Sequence, residues 1–148
     1  MPTKQVRTKA GRLFDKRSNK REAAVLNELA VQQESFLYDF DSDGGAVSTI
    51  SFGASLPANA AILRVWTDTQ TAVTSGGSAT FQVKAGATTL IAAEGFDDAT
   101  HGIDATGLIE QITTPKKITA ESELSLAIAV AALTAGKVRF IVEYCISE

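Results

Sequence analysis

Histidine, cysteine and clustered carboxylates are the side chains from which a chemical site could be built, and the first two are scarce here. His101 is the one histidine and Cys145 the one cysteine in 148 residues. A single cysteine excludes an internal disulfide and any multi-cysteine zinc site. A single histidine narrows the metal and acid–base repertoire. The carboxylates fall into two groups. Asp39, Asp41 and Asp43, followed by Gly44, match the opening of a calcium loop of the form D-x-[DN]-x-[DN]-G. The twelfth position of such a loop needs a bidentate glutamate, and here it is Ile50. The stretch therefore reads as an acidic Asx-type turn at the end of a strand. Glu94, Asp97, Asp98, His101 and Asp104 gather in residues 93–104, a long loop by its composition. Carboxylates with imidazole could hold a divalent ion. Their spacing matches no ligand motif, so an ordinary solvent-facing connection is the preferred reading.

Nothing in the chain selects a catalytic group. A Ser-His-Asp triad would have to use His101, and no G-x-S-x-G elbow accompanies it. The Gly-rich Ser75–Ser78 turn is followed by Ala79 and Thr80, not by the lysine of a phosphate-binding loop. Carboxylate pairs abound in any acidic chain, and no pair stands out for glycoside hydrolysis. The reading is a non-enzyme without cofactor or resident metal. Trp66, flanked by Arg64 and Asp68, could stack on a sugar or a base, but an ordinary core or interface aromatic is preferred.

Charge is distributed in two blocks. Residues 1–22 carry Lys4, Arg7, Lys9, Arg12, Lys16, Arg17, Lys20 and Arg21 against Asp15 and Glu22, a net +6. The other 126 residues hold six basic and fifteen acidic side chains, a net -9. A segment so densely like-charged, with few apolar anchors, does not fold alone. It could meet an acidic partner, fold back on its own acidic body, or serve only as a solubilising tail. Its one aromatic is Phe14, and the acidic body repels phosphates, so no dedicated nucleic-acid reader is indicated. No apolar run approaches the ~20 residues of a membrane-spanning helix. The N-terminus is basic where a secretory signal would be apolar.

The elements that must position these residues follow from periodicity. After the arm, Val25, Leu26 and Leu29 form an apolar stripe among good helix formers, predicting one short helix and linker over residues 23–34. From residue 35 to 148 the period is two. Val138, Phe140, Val142 and Tyr144 share one face, as do Leu124, Leu126, Ile128 and Val130, and Phe81, Val83 and Ala85. Leu63, Val65, Thr67 and Thr69 are expected on one face, opposite Arg64, Trp66, Asp68 and Gln70. Shorter candidates are 36–40, 47–52, 88–92 and 108–112. Joints are expected at Asp43–Gly45, Leu56–Asn59, Ser75–Ser78, Gly86–Ala87 and Ala135–Gly136. About eight short strands of this kind predict an all-β fold, a jelly-roll-like β-sandwich in one domain behind the basic arm. Ser125, Ala127, Ala129 and Ala131 are uniformly small. They fit either a strand covered on both sides in the core, or a face against another subunit.

The stretch from Ile50 to Gly102 resembles segments of small structural proteins of tailed bacteriophages. The features that carry the likeness are the LPANA turn at 56–60, the T-x-T-A ending at 69–72, the F-x-V-K-A-G strand at 81–86 and the T-T-L-I-A-A strand at 88–93. The resemblance covers about a third of the chain and is similar to head decoration, or cement, proteins. It implies a virion protein on the capsid exterior, bound to the major capsid protein and commonly a homotrimer on a threefold or quasi-threefold axis. In that setting the eight basic arm residues are the expected shell contacts, with Val25, Leu26 and Leu29 as an anchor. The alternative from the residues is a receptor- or carbohydrate-binding β-module of a fibre or spike, with Trp66 and the 93–104 loop at its site. A hydrolase built on that loop and His101 is the third reading.

Overall fold

The alternating segments pair into two antiparallel sheets facing one another. The structure, a computed structural model, describes residues 30–112 and 114–147. The basic arm and the apolar stripe Val25, Leu26 and Leu29 lie outside the described residues. The strands are β1 (Gln32–Asp39), β2 (Ser48–Leu56), β3 (Ala60–Ser75), β4 (Thr80–Ala85), β5 (Thr88–Gly95), β6 (Gly107–Ile112), the two-residue β7 (Lys116–Lys117), β8 (Ser122–Ala129) and β9 (Leu133–Ile146). A single helical turn, α1 (Phe40–Asp43), follows β1.

The topology is that of a chain folded in half and then rolled. About the β4–β5 turn, outgoing and returning strands pair: β4 with β5, β3 with β6, β2 with β8 and β1 with β9. This double ribbon wraps so that β3 also pairs β9 and β4 also pairs β8. The result is one sheet ordered β1-β9-β3-β6, with β7 on β3, and a second ordered β2-β8-β4-β5. Eight principal strands in this order are a jelly roll.

The inward face of each strand supplies the core. Val138, Phe140, Val142 and Tyr144 are buried on β9, Leu124, Leu126 and Ile128 on β8, and Phe81, Val83 and Ala85 on β4. Phe36 on β1 stacks on Phe140 at 5.3 Å and meets Phe52 on β2 at 4.2 Å, so this aromatic trio joins the two sheets. Each buried Val, Leu, Ile or Phe among them contributes about 1.5–3 kcal/mol of transfer free energy.

Five sequence expectations need correction. Val130 lies beyond the end of β8 and is exposed instead of sharing the core face of Leu124, Leu126 and Ile128. Leu63 is not on the core face: the register shifts between Ile62 and Arg64, Leu63 becomes the extra residue, and Ile62 is buried instead. Such a bulge offsets the alternation by one from that point. Ala135–Gly136 is not a joint but part of β9, where the pairing shifts opposite Thr71 and Thr74. Gly136, at φ 137°, lies so close to Val73 that a Cβ would stand 2.6 Å from its Cγ2. Phe40 does not continue β1 but begins α1. Finally, β8 is not covered on both sides. Leu124, Leu126 and Ile128 face the core, while Ser125 and Ala127 are half-buried and Ala129 is exposed on the outside of the second sheet.

Candidate functional site

The loop expected at 93–104 is in part strand: β5 runs to Gly95, and residues 96–104 form a tightly folded hook at its end. Asp98 N–H donates to Gly95 O at 3.1 Å, and Asp98 Oδ1 accepts the N–H groups of Thr100 and His101 at 2.8 and 2.9 Å. Gly102 N–H returns to Asp98 O at 2.8 Å, and a Cβ there would lie 2.5 Å from that same oxygen, which explains the glycine. Ile103, buried, closes the hook: its N–H donates to Phe96 O at 2.7 Å and its carbonyl accepts Val73 N–H of β3 at 3.0 Å. This is Asx-turn chemistry locked by a hydrophobic plug.

The hook brings three of the five titratable residues of the segment together. Glu94, Asp98 and His101 each place one donor atom so that all lie within 4.8 Å of one another. His101 Nδ1 is 3.6 Å from Glu94 Oε2 and 3.9 Å from Asp98 Oδ1. Asp97 and Asp104 are exposed and outside this group. The backbone N–H groups of His101 and Thr100 hold the Asp98 carboxyl below the usual range. Gln111 on β6 fixes the far side, its Nε2 donating to His101 O and to Thr67 Oγ1, both at 2.8 Å. Glu94 Oε2 is buried without a hydrogen-bond partner, as are Gln111 Oε1 and Thr69 Oγ1. Thr67 and Thr69 lie buried on the same face as Val65, as their spacing predicts, whereas Gln111 carried no signal in the sequence, because a polar residue facing inward is indistinguishable there from one at an edge. Among the described residues, the polar partners of His101 are Glu94, Asp98 and Gln111, with no serine hydroxyl to form a nucleophile–base pair.

The other acidic stretch is structural. Asp39 caps α1, its Oδ1 accepting Asp41 N–H at 3.2 Å, while Asp39 N–H donates to Asp43 Oδ2 at 2.8 Å. Lys137 Nζ meets Asp39 Oδ2 at 2.7 Å and, with the Asp41 N–H, holds that carboxyl below its ordinary value. Two of the three carboxylates are thereby committed to the backbone and to Lys137, and Ile50 packs on the core. The resulting geometry is a capped turn. Trp66 is half-buried on the outer face of β3, near an Arg64–Glu110 pair at 4.0 Å. It is not part of the core.

No protein-family model and no curated protein matches the sequence. Solved structures do resemble the sandwich. A chain of the acidic stable capsid of Helicobacter pylori bacteriophage KHP30 superposes with a TM-score of 0.58 at 9% identity, over 80% of this chain and 89% of that one. It is a fold that phage capsids contain. A chain of the Ralstonia phage GP4 capsid gives 0.54 at 17% identity, covering 82% and 87%. A chain of the cyanophage Pam1 capsid asymmetric unit gives 0.54 at 18%, covering 80% and 86%. At these identities the likeness extends to the fold and not to individual side chains.

Proposed function

We propose that the chain is a non-enzymatic structural protein of a bacteriophage virion, and that it decorates the outside of the head as a cement protein. The observation that carries the reading is the likeness of the whole sandwich, over 80% or more of the chain, to chains of three phage capsids. The sequence adds the segment from Ile50 to Gly102, which resembles decoration proteins, and the division into a +6 arm and a -9 body. An arm that orders only on docking can bridge a seam between capsomers. Its eight basic side chains would meet an acidic shell with salt-sensitive attraction. Many modest contacts repeated over one shell stabilise it through avidity. The partner in this reading is the major capsid protein, and the protein acts as a homotrimer. Its trimer contact in this reading is the outer face of the second sheet, where Thr49, Ala127 and Gln82 form one cross-strand row and Ser51, Ser125 and Lys84 the next.

Two measurements test this. Antibodies against the chain are expected to label intact particles; labelling only after disruption would place the protein inside and end the exterior reading. Separately, a full-length variant with all eight arm cations replaced by glutamine is expected to keep the thermal melt of the parent and lose most head binding. Parent binding should weaken between about 0.1 M and about 1 M salt, as the Debye length falls from about 10 to about 3 Å. Equal binding by the variant would remove the arm from the interface.

A further inference from the structure

We propose that Glu94, Asp98 and His101 bind a divalent transition-metal ion of the Zn2+ type, which ties the end of β5 to the hook that leaves it. This site is independent of the role in the virion. The three ligands come from β5 and from two positions of one hook, three residues apart, and the hook's backbone is already fixed by hydrogen bonds at both ends.

The two separations that involve the imidazole are those of ligands sharing an ion. Zinc sits about 2.0–2.2 Å from nitrogen and oxygen ligands, so tetrahedral neighbours lie roughly 3.3–3.6 Å apart and wider angles extend this to about 4.2 Å. His101 Nδ1 stands 3.6 Å from Glu94 Oε2 and 3.9 Å from Asp98 Oδ1. Both distances are too long for the charge-assisted hydrogen bond that a protonated imidazole would make, about 2.7–2.9 Å. A second, separate observation is that Glu94 Oε2 is itself buried without a donor, although the side chain as a whole is 25% exposed. A carboxylate oxygen removed from water without a donor is costly, and a cation at the centre of the group would satisfy it.

The ligand set also selects the ion. Two carboxylates with a neutral imidazole balance a dication, and the imidazole favours Zn2+ or Co2+ over Mg2+ and Ca2+, which take all-oxygen shells. The Asp98 and His101 side chains are 43% and 34% exposed, so the ion has a path in and an open position for water. Gln111, gripping His101 O at 2.8 Å, acts as the supporting residue behind the ligand.

The test uses untagged, chelator-treated full-length protein titrated calorimetrically with Zn2+, Co2+, Mg2+ and Ca2+ in turn. The expected result is one Zn2+ per chain, visible Co2+ absorption of a low-coordinate site, and a large shift of the imidazole Nδ1 resonance. His101 is the chain's one histidine, so that resonance is unambiguous. Glu94→Gln keeps the size of the side chain and should weaken Zn2+ binding at least about tenfold, since even outer-shell changes typically cost 10–100-fold. Asp41→Asn, in the capped turn, should leave binding unchanged. Should Glu94→Gln fail to fold, His101→Asn gives the same reading. Absence of stoichiometric Zn2+ binding, binding that survives both site variants, an unmoved Nδ1 resonance, or a response to Ca2+ alone would each overturn the proposal.

Discussion

Tyr38 shows how one side chain links the core to the acidic turn. Its ring is fully buried and its hydroxyl donates to Gly44 O at 2.9 Å, so the turn after α1 is anchored from inside the sandwich. Burial first, and then the carboxylates of Asp43 and Asp39, push its hydroxyl up to about 12. Burial also raises Tyr144, with the Glu34 carboxylate adding to it. The sign follows from linkage: the unfolded chain releases this proton near pH 10 while the folded chain still holds it. The contribution of Tyr38 is therefore complete below pH 10 and is lost as pH rises from about 10 towards about 12. Denaturant melts at successive alkaline pH values should show stability falling across that window, with ultraviolet titration detecting a tyrosine that ionises late. Tyr38→Phe should cost about 1 kcal/mol at neutral pH, through the lost hydrogen bond, and flatten the alkaline decline. An unchanged alkaline limb in Tyr38→Phe would exclude Tyr38 as its source.

At the scale of elements, the β8–β9 connection is the strained part of the sandwich. Ala131 N–H donates to Ala129 O at 2.8 Å across Val130, which sits at φ 69° and is 74% exposed. That is the rarer, strained γ-turn, held by a β-branched residue that pays for the left-handed conformation. Relief of about 1–2 kcal/mol of strain exceeds the roughly 0.5–1 kcal/mol of extra chain entropy that glycine loses on folding. Val130→Gly is thus expected to raise the melting temperature by about 2–4 °C in calorimetry; a lower value would contradict the strain. The same hairpin shows where the sequence becomes unreadable. Ala129–Ala132 contains no glycine, proline, asparagine or aspartate, so no residue type signals the turn, while Gly136, which does look like a turn residue, serves a bulge inside β9. Likewise Leu63 and Ile62 are equivalent in hydropathy, and only pairing with β9 decides which is buried. By contrast the faces of β4 and β9, and of β8 up to Ile128, were legible, because unbroken alternation with large apolar residues leaves one register. The site divides in the same way. Glu94, Asp98 and His101 were visible as residue types, but their convergence depends on the Asx turn at Asp98 and on the tight passage at Gly102.

For the whole molecule, the outer faces of the sandwich decide how copies could meet. The second sheet presents Thr49, Ser51, Thr80, Ser125, Ala127 and Ala129 on one surface, with short side chains over its middle strand. Gln82, Lys84 and Glu123 share this face, and it is over Ala127 and Ala129 that short side chains let another backbone approach closely at little cost in side-chain entropy. Lys84 and Glu123 flank Ser125 with one charge of each sign, so contact there should depend less on salt than contact made by eight like charges of the basic arm. The two surfaces therefore separate by ionic strength. Light scattering at low and high salt is expected to give three chain masses in both conditions if the sheet face forms the trimer. Ala127→Arg, at the centre of β8 between Thr49 and Gln82, should then convert the trimer to a monomer with an unaltered melt of the sandwich. A trimer that dissociates in high salt would shift the contact to the charged arm. A monomer at all salt concentrations would remove the trimer, and with it the threefold position, while leaving decoration by single copies intact. The outcome also bears on geometry: a trimer built through one sheet would bury that face and leave the β1-β9-β3-β6 sheet, with Trp66 on its outer side, turned away from the subunit contact.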